Sequence, residues 1–260
     1  MRWARFDDAG TPRYGLVEGD TLRVIEGDPF AGHSLTDRVL PLAEVTLMVP
    51  VVPPTFYCVG LNYAAHVREV AERAGQVPNL PTQPDVGYRA QSALIPHDAP
   101  IIIPRDATEK VQYEGELVVV IGRQARHLTE ETALDCVLGY TIGNDVSERS
   151  WQKSDRTLWR AKNADTFKPM GPWIDTEARL EDMETIVRVN GDVTTRFRTA
   201  DMIFGVRDFL VAITRYITLQ PGDVIWMGTD GHAPNLRPGD RVEVEITGIG
   251  TLSNPVTAEE

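Results

Sequence analysis

The chain has few cysteines, which excludes a disulfide-stabilised scaffold. Only Cys58 and Cys136 occur among the 260 residues, and they form no CxxC pair. Such sparse use of cysteine is typical of a reducing compartment. The apolar neighbours of Cys58 in the stretch FYCV favour a thiol buried in the core over a nucleophile, and we expect the same of Cys136.

Long apolar runs are also lacking. Spanning a bilayer requires roughly 18 or more consecutive apolar residues. The longest candidate, VTLMVPVVPPTFYCVG, is interrupted by prolines, and the first residues, MRWARFDDAG, have no apolar signal core. The sequence therefore predicts a soluble protein of the cytoplasm.

Basic clusters and nucleotide-binding motifs are missing as well. The chain has 26 Lys and Arg against 38 Asp and Glu, a formal net charge of −12. Nucleic-acid binding requires a basic surface and is excluded, and neither a strand-linked GxGxxG nor GxxxxGK[ST] supports nucleotide binding. A small anionic substrate needs only a local positive site and stays compatible with this composition.

Strand patterns separated by turns dominate the sequence. The first 45 residues or so predict short strands around Gly-Asp turns, and the proline-rich segment MVPVVPPT (48–55) predicts a linker. This divides the chain into a small β domain, residues 1–47, and a larger domain, residues 53–256. We expect a mostly β protein with some helices, in the α+β class.

Three segments have helical character. The first is predicted to begin at an N-cap, Asn62, and to run to about Ala74, where Gly75 would end it. The others are TEETALDCVL (129–138) and DMIFGVRDFLVAITRYI (201–217), the latter opening at Asp201. Between the first two, the proline-rich stretch QVPNLPTQPDVGYRAQ (76–91) predicts a long functional loop.

Two acidic residues introduce the apolar run LVVVIG. On a strand Glu114 and Glu116 would point to the same side, where their charges repel. A divalent cation would turn this repulsion into coordination, and Asp145, at the end of another strand pattern, could supply a third carboxylate. Oxygen ligands without histidine favour Mg²⁺ or Mn²⁺ over Zn²⁺. The alternative is that both glutamates are ordinary solvated residues at a strand edge.

Other candidate residues have the chemistry of a catalytic site. His66 and Glu69 lie three apart on one helical face, an arrangement that could build a general base for water. Lys162, between Trp159 and Phe167, could stabilise an enolate or oxyanion. Each of these side chains could equally be an ordinary surface residue.

Two further residues follow Asp145 closely. Arg149 and Gln152 come four and seven residues later, which would put them on one helical face. Arg149 is suited to binding a substrate carboxylate with two hydrogen bonds. The alternative is a solvated helix charge.

Taken together, these segments resemble the fumarylacetoacetate hydrolase family. The resemblance is carried by VGLNYAAHVRE, YEGELVVVIG, GYTIGNDVSERSWQ, AKNADTFKPMGPW, TADMIF and PGDVIWMGT, in the family's order, and VEITGIGTLSNPV closes the domain as in relatives. It covers about Pro53 to Val256, and the start of the chain is similar to the small N-terminal domain of many bacterial members.

The resemblance implies a mixed β-roll, usually a homodimer, with its active site at one end. It implies Glu114, Glu116 and Asp145 as ligands of one Mg²⁺ or Mn²⁺ ion. His66 and Glu69 match the pair that activates water, and Lys162 matches the active-site lysine. The residues implied to contact substrate are Arg149, Gln152 and Thr229.

Two stretches depart from the common family pattern. GTDGHAPNL replaces a Gly-Thr-Pro turn and places Asp230 and His232 near the expected pocket. YRAQSAL has Arg89 where many members have lysine, and an arginine fork binds carboxylates with a different geometry. Both altered stretches are expected to line the part of the pocket that selects the substrate. Arg89 and His232 are therefore predicted to help select it.

The reaction that the resemblance implies is hydrolysis of a carbon–carbon bond in a 2-oxo or β-diketo acid, such as an acylpyruvate or fumarylpyruvate. The alternatives on the same metal centre are an oxaloacetate-type decarboxylase and a 2-hydroxy-dienedioate isomerase. A non-catalytic protein that binds a small acid is a more remote alternative.

Overall fold

The computed structural model describes residues 1–73 and 75–260, with the side chains of all of these except 70 and 73. The first strands are β1 (Arg2–Asp8), β2 (Thr11–Glu18), β3 (Thr21–Asp28), β4 (Gly32–Pro41), β5 (Phe56–Val59), β6 (Val86–Tyr88), β7 (Leu94–Ile95), β8 (Ile101–Ile103) and β9 (Val111–Gln112). The later strands are β10 (Gly115–Ile121), β11 (Val137–Asn144), β12 (Ser147–Glu148), β13 (Lys168–Asp175), β14 (Glu184–Val189), β15 (Asp192–Arg198), β16 (Val224–Trp226), β17 (Arg241–Ile246) and β18 (Gly250–Ala258). The α-helices are α1 (Ala64–Arg73), α2 (Trp159–Asn163) and α3 (Val206–Thr214). The prediction of a mostly β protein with some helices is confirmed.

One large sheet runs through the molecule in the order β4-β3-β2-β1-β13-β11-β10-β16-β5-β6, with β7 beside β13. The first four strands form an antiparallel ribbon, as predicted for this part of the chain. Strand β1 pairs with β13, where Trp3 faces Ile174. The N-terminal strands therefore extend the sheet that carries the site.

A second sheet, β15-β14-β17-β18-β8, packs on the large one. Strand β10 lies where they meet and is buried throughout. Leu117, Val119 and Ile121 belong to the larger apolar cluster, whereas Val118 and Val120 face the other side. A strand covered on both faces explains the unbroken apolar run LVVVI.

Gly115 fixes how the two glutamates are turned. A Cβ at Gly115 would lie 2.9 Å from the side chains of Val187 and Val244 in the second sheet, so only glycine is accommodated there. Because side chains alternate along an extended chain, Glu114 and Glu116 point away from that sheet. They reach the space beneath α1 and α2.

Two predicted helix starts are wrong. The side chain of Asn62 does not cap α1 but bonds the backbone of Phe204 and Met227. Helix α3 starts after Gly205 rather than at Asp201, and Asp208 accepts a hydrogen bond from the Gly205 N–H. The predicted end of α1 at Ala74 lies outside the described residues.

Two other helical predictions are also wrong. In the segment 129–138 only a single 3-10 turn forms, Ala133–Cys136, because the chain enters β11 at Val137. Arg149 and Gln152 do not share an α-helix, since strand β12 and a 3-10 turn, Trp151–Lys153, occupy this stretch. Their side chains still meet, with Arg149 Nη1 3.1 Å from Gln152 Oε1.

The predicted linker 48–55 contains neither helix nor strand. The loop 76–91 is more regular than expected, because β6 pairs with β5 within it. Cys58 and Cys136 are both buried, and burial raises the pKa of Cys58 to about 12. Among the described residues, no helix is long and apolar enough to cross a membrane.

Candidate active site

The three predicted metal ligands converge where the central strands of the large sheet end. Glu116 lies in β10, Glu114 directly precedes that strand, and Asp145 directly follows β11. The neighbouring strands are antiparallel, and the backbone N–H of Asp145 donates to the carbonyl of Glu114 at 2.8 Å. Sheet register therefore brings together carboxylates that are distant in sequence.

The triad has the properties of a hard-cation site. One oxygen from each of Glu114, Glu116 and Asp145 lies within 4.8 Å of the others, and all three side chains are buried. Buried carboxylates repel one another unless cations compensate them, and oxygen donors suit Mg²⁺ or Mn²⁺. The donor set could thus hold a divalent metal.

Lys162 lies between two of these carboxylates. Its Nζ is 2.6 Å from Glu114 Oε2 and 2.7 Å from Asp145 Oδ2, and its side chain is only 7% exposed. Helix α2 carries this lysine to the site. The lysine predicted to stabilise an enolate is thus placed directly on the triad.

Asp145 has further cationic partners. Arg89 grips it with two hydrogen bonds, from Nη2 to Oδ2 at 2.9 Å and from Nε to Oδ1 at 3.2 Å. The fully buried Lys168 places Nζ 2.6 Å from Oδ1, and also donates to the carbonyls of Val146 and Phe167. Burial raises the pKa of Asp145, but Arg89, Lys162 and Lys168 outweigh it and hold that pKa well below its usual range.

Arg149 is a cationic partner of Glu114. Its Nη1 lies 2.5 Å from Glu114 Oε1, and its Nε donates to Gln112 Oε1 at 2.9 Å. Burial raises the pKa of Glu114, yet Lys162 and Arg149 overcome this and bring it to about 2. Arg149, predicted to bind a substrate carboxylate, is thereby held beside a carboxylate of the site.

Glu116 differs from its two neighbours. Its Oε2 accepts a hydrogen bond from the backbone N–H of Gly228 at 2.9 Å, and within the described part of the chain it forms no ion pair. Burial, followed by the charges of Asp145 and Glu114, raises the pKa of Glu116 well above its ordinary value. A bound cation would supply the positive charge that this carboxylate lacks.

His66 and Glu69 both belong to α1, but Glu69 does not bond Nδ1 of His66. His66 is largely buried, and its Nδ1 has no hydrogen-bond partner among the residues described. Glu69 Oε1 instead lies 3.5 Å from Nδ1 of His232, whose side chain is 65% exposed. Burial lowers the pKa of His66, so its imidazole is neutral at pH 7.

A cavity of about 310 Å³ is lined by Glu114 and Glu116 of the triad, whereas Asp145, Glu69 and His232 do not line it. Most of the predicted site residues line it: His66, Arg89, Glu114, Glu116, Arg149, Gln152, Lys162 and Thr229. Its wall is completed by small or apolar residues, which include Val59, Leu61, Leu158 and Ala233. The cavity therefore combines a charged floor with partly apolar walls.

Sequence reasoning missed Lys168 and Gln112. Lys168 stands in the otherwise apolar stretch TFKPMGPW, and a lysine inside a buried strand is itself a sign that it has a specific partner. Gln112 precedes Glu114 by two residues. The alternation of side chains that puts Glu114 and Glu116 on one side of the strand therefore also predicts Gln112 on that side.

Comparison with known proteins agrees with the motifs. The family model described as Fumarylacetoacetate (FAA) hydrolase C-terminal matches residues 55–257, and Rv2993c-like, N-terminal matches residues 1–50. Protein Rv2993c of Mycobacterium tuberculosis is 41% identical over 98% of both chains. Oxaloacetate tautomerase YisK of Bacillus subtilis is 32% identical over 90% of this chain and 84% of that protein.

The fold has close counterparts among solved structures. A 5-carboxymethyl-2-hydroxymuconate delta-isomerase from Mycobacterium smegmatis superimposes over 100% of both chains with a TM-score of 0.89 and 37% identity. The likeness therefore extends through the N-terminal ribbon as well as the sheets that carry the triad.

Proposed function

Because the chain belongs to the fumarylacetoacetate hydrolase family, whose members are enzymes, we propose that it is a divalent-metal-dependent enzyme that converts a 2-oxo acid through its enolate. We propose further that the reaction is hydrolysis of a carbon–carbon bond in an acylpyruvate-type acid. The observation that carries the proposal is the buried triad of Glu114, Glu116 and Asp145 with Lys162 upon it.

The charges of the site suit an acidic substrate. Four cationic side chains, Arg89, Arg149, Lys162 and Lys168, contact the triad, which has one carboxylate fewer. A Mg²⁺ or Mn²⁺ ion held by the triad would supply a Lewis acid for the 2-oxo carboxylate. The excess positive charge then favours an anionic ligand on the cavity floor.

Different residues of the chain would bind the substrate, activate water and stabilise the enolate during hydrolysis. Arg149 and Gln152 orient the substrate carboxylate, and neutral His66 accepts a proton from a water that attacks the distal carbonyl. The bond between that carbonyl and C3 breaks, and its electron pair forms the enolate of pyruvate. Lys162 donates a hydrogen bond to the enolate oxygen, and protonated His66 returns its proton to C3, which yields pyruvate and a carboxylic acid and restores neutral His66.

A second candidate is tautomerisation, isomerisation or decarboxylation of an oxaloacetate-like acid. The observation that favours it is the position of Glu69 near His232 rather than at Nδ1 of His66, because activation of water would profit most from a fixed imidazole. These reactions need the stabilised enolate but no attacking water. One relative is named for tautomerisation of oxaloacetate.

Pyruvate release by the purified protein with Mn²⁺ tests both candidates. Acylpyruvates of different length and oxaloacetate would be compared, each beside the Glu116→Ala variant, because free metal decarboxylates oxaloacetate unaided. Release from acylpyruvates that Glu116→Ala abolishes would support hydrolysis. Activity on oxaloacetate alone, as pyruvate release or as keto–enol exchange followed by ultraviolet absorbance, would support the second candidate.

The His66→Ala variant separates the mechanisms. It should lower hydrolysis by a factor of about 100 or more, the usual contribution of a general base, and lower decarboxylation much less. Equal turnover by Glu116→Ala and wild type would reject the metal site. Melting shifts with 2-oxo acids in the absence of any turnover would point to a small-acid binder.

Assembly belongs to the proposal as well. A homodimer is the state that we propose, and sedimentation should then give about twice the chain mass of 28.9 kDa. A mass equal to that of one chain at micromolar concentration would reject it.

A further inference from the structure

Two leucines of the cavity wall have a backbone conformation that leucine avoids. Leu61 has φ of 53° and Leu158 has φ of 56°, both in the left-handed region, and both line the cavity over the triad. In this region the Cβ of an L-residue crowds the backbone, and residues other than Gly, Asn and Asp are uncommon there. Seven described residues other than glycine have such a φ, and two of them, Leu61 and Leu158, lie in the wall of the candidate active site.

Burial in the core does not account for Leu61. Its side chain is 48% exposed, so it gains little from the folding of the chain alone. Gly60 directly precedes it but does not have a positive φ, so the neighbouring glycine does not take the left-handed position. A leucine in this conformation has a cost in free energy, and its exposed side chain lines the cavity.

Leu158 has a local role that glycine would fill without strain. Its carbonyl accepts hydrogen bonds from the backbone N–H of Lys162 at 3.0 Å and from the side chain of Asn163 at 3.1 Å. The left-handed turn thus leads the chain into α2 and sets Lys162. Since glycine adopts this turn freely, the feature that the strain preserves is the leucine side chain.

The rest of the cavity indicates what these side chains contact. The floor carries Lys162, Arg149 and the carboxylates, whereas Leu61 and Leu158 add apolar surface to the wall with Val59. We propose that Leu61 and Leu158 are specificity-determining residues that hold a hydrocarbon segment of the substrate, while its 2-oxo acid end lies on the floor. The inference rests on the proposed function only in taking the polar end of the substrate to be a 2-oxo acid.

Binding of straight-chain 2-oxo acids tests the proposal without any assumption about the bond that is broken. Pyruvate, 2-oxobutanoate, 2-oxopentanoate and 2-oxohexanoate would be titrated calorimetrically into the Mn²⁺-loaded protein. For wild type we expect affinity to rise by about twofold to fourfold with each methylene. In Leu61→Gly and Leu158→Gly this rise should flatten, with about tenfold weaker binding of 2-oxohexanoate and nearly unchanged binding of pyruvate.

Ala9→Gly is the matched control, because Ala9 has φ of 51° in a turn between β1 and β2. All three glycine variants relieve a left-handed residue, so each should melt at or above the wild-type temperature, but Ala9→Gly should keep the dependence on chain length. Wild-type affinity that is flat with chain length, or a rise that survives in both leucine variants, would overturn the proposal and leave the proposed function intact. Failure of every acid, pyruvate included, to bind wild type would reject the proposed function together with this one.

Discussion

Nζ of Lys162 lies 2.6 Å from Oε2 of Glu114, a carboxylate that the sequence predicts as a metal ligand. The same ammonium reaches Asp145 at 2.7 Å, so it bridges two of the three carboxylates. A cation that uses those oxygens must share them with Lys162 or displace it. Metal affinity and the position of this lysine are therefore coupled.

Removing the Lys162 charge should tighten metal binding even though it abolishes turnover. Lys162→Met eliminates both a competitor for the carboxylates and a repulsive charge, so we expect at least a tenfold lower Kd for Mn²⁺ by calorimetry, an energy of about 1.4 kcal/mol. Arg149→Met is the control, because it removes an equal charge that contacts only Glu114 among the triad. Weaker Mn²⁺ binding by Lys162→Met than by wild type would contradict the coupling.

Because Arg89 donates two hydrogen bonds to Asp145, we expect that replacing Arg89 by lysine lowers stability. Arg89→Lys keeps the charge but loses one of two buried hydrogen bonds, so the free energy of unfolding should fall by about 1 kcal/mol. Arg89→Met leaves a buried charge less compensated and should cost about 3 kcal/mol or more. Chemical denaturation with and without Mn²⁺ would measure both.

Arg38 provides the comparison for that measurement. It also grips a carboxylate with two hydrogen bonds, from Nη1 and Nη2 to Asp8, but at the surface. Solvent screens such a pair, so Arg38→Lys should change stability far less than Arg89→Lys. Equal losses in the two variants would show that burial of the Arg89–Asp145 pair has no consequence.

The unpaired Glu116 should make the metal-free protein less stable as pH rises. Its pKa in the folded state is raised, mainly by burial, so between the ordinary glutamate value of about 4.3 and that raised pKa the folded state binds more protons than the unfolded state. Stability therefore falls as pH increases through this window. Melting curves in EDTA should show the fall for wild type and a weaker one for Glu116→Gln. Parallel curves for the two proteins would reject this account.

His66 should set the acid limb of the activity profile. Burial lowers its pKa, so the neutral base persists below the ordinary histidine value of about 6.5, and kcat/KM should decline only at lower pH. Asp230 is among the charges that raise the pKa of His66, so Asp230→Asn should move the limb still lower. A limb at or above pH 6.5, or one that Asp230→Asn leaves in place, would assign it to another group.

Local pattern was sufficient for the strands and for the shared orientation of Glu114 and Glu116. The apolar run after Glu116 requires a strand buried on both faces, and period-two alternation then puts Glu114 and Glu116 on one side. Helix ends were predicted less well. Asn62 and Asp201 both have the chemistry of N-caps, but Asn62 is engaged by Phe204 and Met227 across the fold.

Alternation along a strand by itself placed Glu114 and Glu116 on one side, and the resemblance to a known family implied that Asp145, His66 and Lys162 share their site. Only the tertiary structure decided which charges pair. Lys168 and Arg89 reach Asp145 from segments far apart in the chain, and Glu69 lies 3.5 Å from His232, a residue of a distant loop. Ion pairs form wherever the order of strands and the packing of helices bring opposite charges within a few ångströms, and no spacing along the chain encodes that distance.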